Sequence, residues 1–475
     1  MKKFLSLLLA VGIVFNSGIA RSEIYSSNSR VSNLTYDLNL EDGTTDTIAN
    51  YATGNANFMV VSPRSASAPA TYCVGTAGTV TRLTTSNTPR FTSGYWDETG
   101  FHYKPSLAIQ VSVGNYMTYS EALDNAAWVI SNTTDLTVAA NTAETTDPAG
   151  TTISEKITCN VAGGTITHST TASAGNKQFS VFLKRGSGTG VVNISRDGTT
   201  WVPVTLYTDT WVRVWDIGSV GNNPAPGIQM MTAGDVIYAW GAELNNNGSN
   251  GKMDYVPADT GVTIKAAEYL AISPENNISS VAGAIAYKGY VGVKKSGLAG
   301  YLFNPAIDSN NRIGFRGFSA LSPLYYLEIM SGGTAYNSGS PASFVDDNAF
   351  DTHTLIGTWG QTADNYLQKV YMMADGVRQG TGSATYTTMT GTWKKFIIQC
   401  NSGTGSGEIY IQRFRIYGKQ VSVDEMSIIN DELNVDTIKT RKPYILNVGD
   451  SITAGSITTH GLGYRKDMQD WLIPG

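Results

Sequence analysis

One short segment near the end of the sequence has the residues of a nucleophilic site. Ser451 stands between Gly449 and Gly455, and Asp450 precedes it. The almost wholly apolar run from Tyr444 to Val448 comes just before and is typical of a strand buried on both faces. A serine at the carboxyl end of such a strand lies where open α/β sheets place their sites. A turn there can direct backbone N–H groups at a developing oxyanion.

The residues that follow this turn predict an amphipathic helix. Tyr464, Met468, Trp471 and Leu472 fall at i, i+4, i+7 and i+8, which is one helical face. Pro474 can end the helix. A buried strand, a Gly-flanked turn and such a helix together form the start of a parallel α/β unit.

The Gly449 to Gly455 segment resembles block I of the SGNH (GDSL-type) hydrolase family, and the helix resembles the first helix of that family. The resemblance covers only about residues 443–475. It implies that Ser451 is the nucleophile and that its backbone N–H is one oxyanion donor. It also implies that Asp450 is a structural neighbour rather than the triad acid, and that Gly449 and Gly455 permit the turn.

The remaining catalytic groups of that family come from later blocks, namely a second oxyanion Gly, an Asn donor and an Asp-x-x-His pair. The sequence ends at Gly475, and His460 follows Ser451 too closely to match the base, so we interpret it as a loop histidine. A serine without a positioned base is a weak nucleophile. We therefore expect a truncated hydrolase start with little or no esterase activity. The expected parent is an exported enzyme that removes acyl groups from a polysaccharide.

The rest of the sequence predicts a mainly β protein. The 50 Gly and 25 Tyr of the full sequence suit strands joined by tight turns. Residues 21–114 form an N-terminal β-rich region. Residues 115–265 carry alternating strands such as Gln178 to Lys184, Trp201 to Tyr207 and Asp235 to Gly241. With Tyr119 to Trp128, this unit resembles the carbohydrate-binding-like jelly rolls of phage structural and exported bacterial proteins.

A second sandwich is predicted over residues 267–434. Asp375-Gly376 is a tight hairpin turn, and Ser422 with Glu425 forms a capping box that opens a short helix. These features resemble the close of a laminin-G-like (concanavalin-like) sandwich. The fold class is therefore tandem β-sandwich (jelly-roll) domains followed by the first strand and helix of a truncated α/β SGNH hydrolase domain.

The N-terminus has the pattern of a signal peptide. Lys2 and Lys3 precede an apolar run, and small residues lead to Ala20, after which we place cleavage (less readily after Ser22). The run is too short to span a bilayer, and no later segment is long and apolar enough to span one. We expect residues 1–20 to be removed and the protein to be secreted, periplasmic or displayed on the cell surface.

Composition and charge limit the classes of partner that the protein can bind. The net charge of −5 without a basic run excludes a nucleic-acid surface. The expected partner is a polysaccharide or cell-surface glycan, with no cofactor and no metal; a calcium role for Asp346 and Asp347 is disfavoured because no 12-residue calcium loop is present. The alternative function is a non-catalytic adhesin or phage-type fibre. The oligomeric state stays open.

Two further sets of residues bear on binding. The three cysteines match no metal-ligand spacing, and we interpret them as small buried thiols. Some aromatic residues could stack on sugars, although most are expected in the sandwich core. The cysteines are Cys73, Cys159 and Cys400, and the aromatic residues are Tyr95, Trp96, Trp201, Trp211, Trp215 and Trp240.

Overall fold

The computed structural model describes most of the chain between Ser29 and Asn434. The described residues are 29, 31, 34–39, 58–61, 71–83, 90–110, 112–246, 252–272, 278–292, 304–308, 310–317, 325–338, 350–362, 365–379, 389, 395–399 and 408–434. The chain divides into two compact units, Met1–Leu433 and Asn434–Gly475. The predicted signal peptide, residues 1–20, and the predicted hydrolase start, residues 443–475, lie outside the described residues.

The described residues form strands and one helix, which confirms the prediction of a mainly β protein. In chain order the strands are β1 (Leu34–Asn39), β2 (Phe58–Val61), β3 (Thr71–Val74), β4 (Val80–Leu83), β5 (Phe91–Asp97), β6 (Gly100–Gln110), β7 (Val113–Asn115), β8 (Trp128–Ile130), β9 (Leu136–Ala139), β10 (Glu155–Cys159), β11 (Gly164–His168), β12 (Gly175–Ser187), β13 (Val192–Ser195), β14 (Val202–Val204), β15 (Val212–Val220), β16 (Gly227–Met230), β17 (Val236–Asn245), β18 (Thr263–Lys265), β19 (Tyr269–Ile272), β20 (Gly283–Val291), β21 (Asn304–Asp308), β22 (Asn311–Gly317), β23 (Tyr325–Ser331), β24 (Thr334–Asn337), β25 (His353–Thr362), β26 (Asn365–Ala374), β27 (Val377–Gln379), β28 (Lys395–Gln399) and β29 (Glu408–Tyr417). The helix is α1 (Val423–Asn434).

Residues 113–265 fold as a jelly roll of two packed sheets. One has the order β15-β12-β17-β10-β9, with β7 paired to β17 and β18 paired to β7, and we call it the seven-stranded sheet. The other has the order β14-β13-β16-β11-β8, and we call it the five-stranded sheet. Their facing side chains, including Ile157, Phe179, Ile194, Ile228 and Leu244, form one buried core. Alternate residues on each strand therefore face outward.

A larger sandwich, the host, is built from strands on both sides of the jelly roll in sequence. One of its sheets has the order β27-β26-β25-β20-β29-β6-β5, and β1 also pairs with β29. The second has the order β2-β19-β28-β21-β22-β23-β24. Core residues such as Ile285, Phe315, Leu327 and Trp359 lie between them.

The pairing of β29 shows how the jelly roll is placed in the chain. Its residues Glu408–Ile411 pair with β6, and its residues Arg413–Tyr417 pair with β1. Strands from before the jelly roll therefore complete a sheet of the host. The jelly roll leaves the host after β6 and returns to it at β19, so it is an insertion. The boundaries 21–114, 115–265 and 267–434 stay predictions.

The two local motifs predicted near the end of the host are confirmed. Ser422 N donates to the Glu425 carboxylate at 2.8 Å, and Glu425 N donates to Ser422 Oγ at 3.2 Å, which is the capping box of α1. Asp375 and Gly376 both have positive φ, 47° and 78°, and join β26 to β27. Two positive φ values in a two-residue loop match the twist of the strands on either side.

Candidate functional site

The residues predicted to carry ester chemistry are Gly449, Asp450, Ser451 and Gly455. All four lie outside the described residues, as do Cys400 and the Asp346-Asp347 pair. The roles assigned to them from the sequence stay predictions. A different candidate site lies on the jelly roll.

Most of the aromatic residues predicted for the core are confirmed there. Trp240 is completely buried, and Trp211 and Trp215 are nearly so. Trp96 packs with Phe182 against this cluster. The residues of this cluster lie on the outer side of the seven-stranded sheet, where β4 and the host cover it. This side of the jelly roll is therefore structural.

Tyr95 is also part of a packed cluster rather than an open platform. Its ring stacks on Phe350 at 3.8 Å between centroids and on His102 at 4.9 Å. Phe350 is buried with a φ of 68°, and Lys104 Nζ donates to its carbonyl oxygen at 2.6 Å. The Tyr95 ring, on β5 of the host, therefore packs against neighbouring rings rather than standing free as a platform for a sugar.

A buried ion cluster joins the jelly roll to the host. Arg90 is almost fully buried and its guanidinium contacts the carboxylates of Asp254, Glu268 and Glu408. Lys265 Nζ lies 3.1 Å from Glu268 Oε2. Burial raises the pKa of Glu408 to about 7 even though Arg90 lies beside it, and burial lowers the pKa of Lys265 to about 8. Because Glu408 belongs to β29 and Asp254 to the chain leaving β17, the cluster ties the insertion to its host.

The outer side of the five-stranded sheet is the open face of the jelly roll, and we call it the open face. Side chains on its strands alternate between buried core residues and partly exposed residues. Ile166, Ile194 and Ile228 point inward and are at most 1% exposed, whereas their neighbours Thr165, Asn193 and Gln229 are partly exposed. The site is therefore made by strand alternation, with the core holding the face in place.

A polar row crosses the open face at right angles to its strands. Thr165 on β11 pairs with Gln229 on β16, Gln229 pairs with Asn193 on β13, and Asn193 pairs with Pro203 on β14. Asn193 Nδ2 donates to Gln229 Oε1 at 2.8 Å, which orients both amides. This hydrogen bond does not use the Gln229 amide nitrogen or the Asn193 carbonyl oxygen. The row therefore presents fixed donors and acceptors in sequence.

An apolar pair, Val191 and Met231, lies beside the polar row at one end of the open face, and Tyr207 lies nearby, where its carbonyl oxygen accepts from Arg185 N of β12. Val191, Met231 and Tyr207 are 52%, 43% and 39% exposed. Met231 N donates to Val191 O at 3.0 Å, so these two side chains stand next to each other. Tyr207 and Val191 also line a groove of about 640 Å³ at the edge of the sheet. Exposed apolar side chains grouped in this way mark binding surfaces more often than scattered ones do.

The loop that carries Val191 is held by a buried ion pair. Arg185 Nη1 lies 3.2 Å from Asp235 Oδ2, and Arg185 Nη2 donates to Gly190 O at 2.8 Å. Gly190 N donates to the same Asp235 carboxylate at 2.8 Å. A Cβ at Gly190 would lie 2.2 Å from Thr232 Oγ1, so glycine is required for this close approach. The groove wall is thereby pre-formed.

The other end of the open face is shallow. Val129 on β8 is 55% exposed and pairs with Thr167, which in turn pairs with Gly227. A Cβ at Gly227 would lie 2.2 Å from Ile166 O, so the backbones approach closely there and no side chain fills the gap. Trp201, partly exposed, comes immediately before β14 at the far edge. The open face thus has apolar groups on both sides of a polar row.

The described residues contain no cluster of three or more His, Cys, Asp or Glu side chains arranged to hold a metal ion. In the same part of the chain, no helix has the length and apolar character to cross a membrane. What the open face offers chemically is hydrogen bonding and apolar contact.

Prediction from sequence did not identify the open face. The short strands β11, β13 and β16 carry a weak signal, because GTITH, VNIS and GIQM alternate apolar with polar residues. That alternation could have shown which residues face outward. It could not have shown that Thr165, Gln229 and Asn193 stand in one row, since this depends on the register between strands distant in sequence.

Comparisons with known proteins leave the family open. No family model matches this chain, and no curated protein matches it. Among solved structures, domain 4 of AbnA, an extracellular GH43 arabinanase of Geobacillus stearothermophilus crystallised with arabinotriose, has 14% identity and a TM-score of 0.26. That match covers 37% of this chain and 80% of the arabinanase domain.

Two other solved structures show a likeness of the same order. The CBM40 domain of the Ruminococcus gnavus IT-sialidase has 13% identity and a TM-score of 0.25, over 32% of this chain and 84% of that domain. A botulinum neurotoxin type C structure, described by its dependence on two ganglioside molecules for cell entry, has 13% identity and a TM-score of 0.27. Here the match covers 36% of this chain and only 41% of the toxin chain. Values of this size assign the chain to none of these families.

Proposed function

We propose that this protein binds a glycan on the open face of its jelly roll. The observation that carries the proposal is the polar row, in which Thr165, Gln229 and Asn193 stand side by side on paired strands with apolar side chains on either flank. A sugar ring has hydroxyl groups around its edge and C–H groups on its faces. Such a ring needs hydrogen-bonding and apolar contacts close together, and the open face supplies both.

The amide pair suits neighbouring hydroxyl groups. Asn193 keeps a carbonyl acceptor and Gln229 keeps amide donors once they have bonded to each other. A sugar hydroxyl both donates and accepts, so two adjacent hydroxyls can bridge this pair. Each hydrogen bond of this kind contributes about 0.5–1.5 kcal/mol net. Several such hydrogen bonds are needed for useful affinity, and a row of polar residues can supply them where a single residue cannot.

Pre-organisation supports binding further. The amide pair is oriented before a ligand arrives, and the Arg185–Asp235 ion pair fixes the groove wall beside it. Ordering a flexible side chain on binding costs about 0.5–1.5 kcal/mol, and much of that cost is already met here. The host covers the other side of the jelly roll, which leaves the open face as the side presented to a ligand.

The experiment is a binding assay of the whole chain against a panel of immobilised polysaccharides. We expect at least one to bind, and we expect Asn193→Ala and Gln229→Ala each to weaken that binding about fivefold to tenfold. Asn246→Ala is the matched control, since Asn246 is exposed just after β17 of the seven-stranded sheet. Equal loss in the control, or no loss in either variant of the open face, would refute the site.

The ester chemistry predicted at Ser451 is a separate proposal, as is export of the chain. An exported esterase whose sandwich holds the polysaccharide requires glycan binding, and so does the non-catalytic adhesin or fibre. Glycan binding without ester turnover favours the adhesin or fibre. Ester turnover that disappears in Ser451→Ala favours the esterase.

A further inference from the structure

The distribution of charge on the jelly roll identifies the kind of glycan that the open face accepts. This inference rests on the proposed function. We infer that the ligand is an uncharged polysaccharide chain lying across the five strands, and that acidic glycans carrying uronate, sialate or sulfate groups are excluded.

The first observation is where the cations lie. Residues 113–265 contain eight Lys and Arg, and six of them lie on strands of the seven-stranded sheet: Lys156, Lys177, Lys184, Arg185, Arg213 and Lys265. Lys252 contacts Glu98. Only Arg196 follows a strand of the five-stranded sheet, and its Nη1 lies 2.6 Å from Asp216 Oδ1. Of these cations, Arg185 lines the groove at the apolar end of the open face, where it is paired with Asp235, and none belongs to the polar row.

The second observation is where the anions lie. Asp209 lines the groove at the apolar end of the open face. Asp197, in the turn after β13, accepts hydrogen bonds from Thr199 N and Thr200 N at 2.7 and 2.6 Å. Partial burial opposes ionisation of Asp197, but these hydrogen bonds hold its pKa well below the usual range. A carboxylate side chain therefore lies near each end of the open face, Asp209 in the groove and Asp197 in the turn after β13.

An acidic sugar would gain nothing at this surface to replace its hydration. Binding a carboxylate or sulfate requires cations or several N–H donors directed at one point, and here the donors are spread along a row. Asp197 and Asp209 would also repel the ligand, an effect that salt screens. An uncharged sugar loses only the weaker hydration of its hydroxyl groups, and the amides of Asn193 and Gln229 replace it.

The third observation is the length of the site. Five strands at about 4.8 Å spacing give a face about 19 Å across, which is longer than a single sugar ring. Val129 at one edge and Pro203 at the other are both exposed, and the edge at Pro203 opens into the groove. A site open at both edges admits the interior of a chain as well as its ends.

The test compares matched polymers that differ only in charge. The whole chain is assayed against polygalacturonate and its carboxyl-reduced neutral form, within a wider panel of neutral and acidic polysaccharides. Each assay is run at about 50 mM and at about 500 mM salt, which screen charges weakly and strongly. We expect binding to neutral members only, changing less than about twofold with salt. We expect Asn193→Lys to lose neutral binding at least about tenfold and to bind an acidic polymer at low salt.

The outcomes separate the inference from the proposed function. Binding confined to acidic polymers, weakened by salt and by Gln229→Ala, would overturn the inference and leave glycan binding at the open face intact. Failure to bind any member of the panel, or binding that ignores Asn193 and Gln229, would overturn both. Circular dichroism of each variant checks folding, and both side chains are at the surface.

Discussion

Replacing Arg90 by Met tests how the jelly roll is held by its host. The change removes the cation that contacts Asp254, Glu268 and Glu408, and among the described residues Lys265 remains as the cation beside Glu268. Removing one partner of a buried ion pair costs about 3–5 kcal/mol, because the remaining charge stays buried without compensation. We expect a loss of this size in the free energy of unfolding at pH 7.

Arg82→Met is the matched control, since it removes the same side chain from an exposed site. Arg82 lies 3.8 Å from Asp259, and both side chains are largely in solvent. Exposed pairs of this kind contribute at most about 1 kcal/mol. Denaturant unfolding of both variants, followed by tryptophan fluorescence, measures the difference.

The pH dependence of the Arg90→Met variant gives a second readout. Without Arg90 the folded carboxylates hold their protons more strongly than the unfolded ones do, so the folded state binds more protons. Stability then falls as pH rises, and the loss caused by the mutation shrinks between pH 7 and pH 5. Equal stability of Arg90→Met and Arg82→Met, or a loss that does not change with pH, would refute the role of the ion cluster.

Two further predictions concern a buried acid and the predicted nucleophile. Burial, together with repulsion from Asp124, raises the pKa of Glu155 to about 8. The unfolded value is near 4.3, so stability should fall by up to about 5 kcal/mol as pH rises between these values. Glu155→Gln should remove this fall in stability, which denaturant unfolding at pH 5 and pH 8 measures. If the stability of Glu155→Gln falls with pH as steeply as that of the native chain, Glu155 is not the group responsible. Ser451→Ala should leave polysaccharide affinity unchanged, because the open face belongs to the other compact unit; a loss in the same binding assay would show that Ser451 takes part in binding.

The fold class could be predicted from sequence because long alternating strands and local turn motifs carry their own signal. Gln178 to Lys184 lies within β12, and the capping box at Ser422 depends only on residues three apart. The insertion could not be predicted, since the pairing of β1 and β6 with β29 joins residues more than 290 positions apart. No local pattern records such a pairing.

The open face could not be predicted from the sequence for a related reason. Its strands β11, β13 and β16 have four or five residues each and no large aromatic side chain. The large aromatic side chains Trp211 and Trp240 lie instead in the buried cluster on the seven-stranded sheet. Which outer face of the jelly roll stays exposed depends on which face the host covers. That in turn depends on how the jelly roll is inserted into the host.

The most direct test of the account is the affinity of the whole chain for a neutral polysaccharide, measured for the native sequence and for the Asn193→Ala, Gln229→Ala double variant. We expect the double variant to lose less than the product of the two single losses, because the two amides bond to each other at 2.8 Å and act as one unit. An affinity in the double variant equal to that of the native chain would contradict glycan binding at the open face.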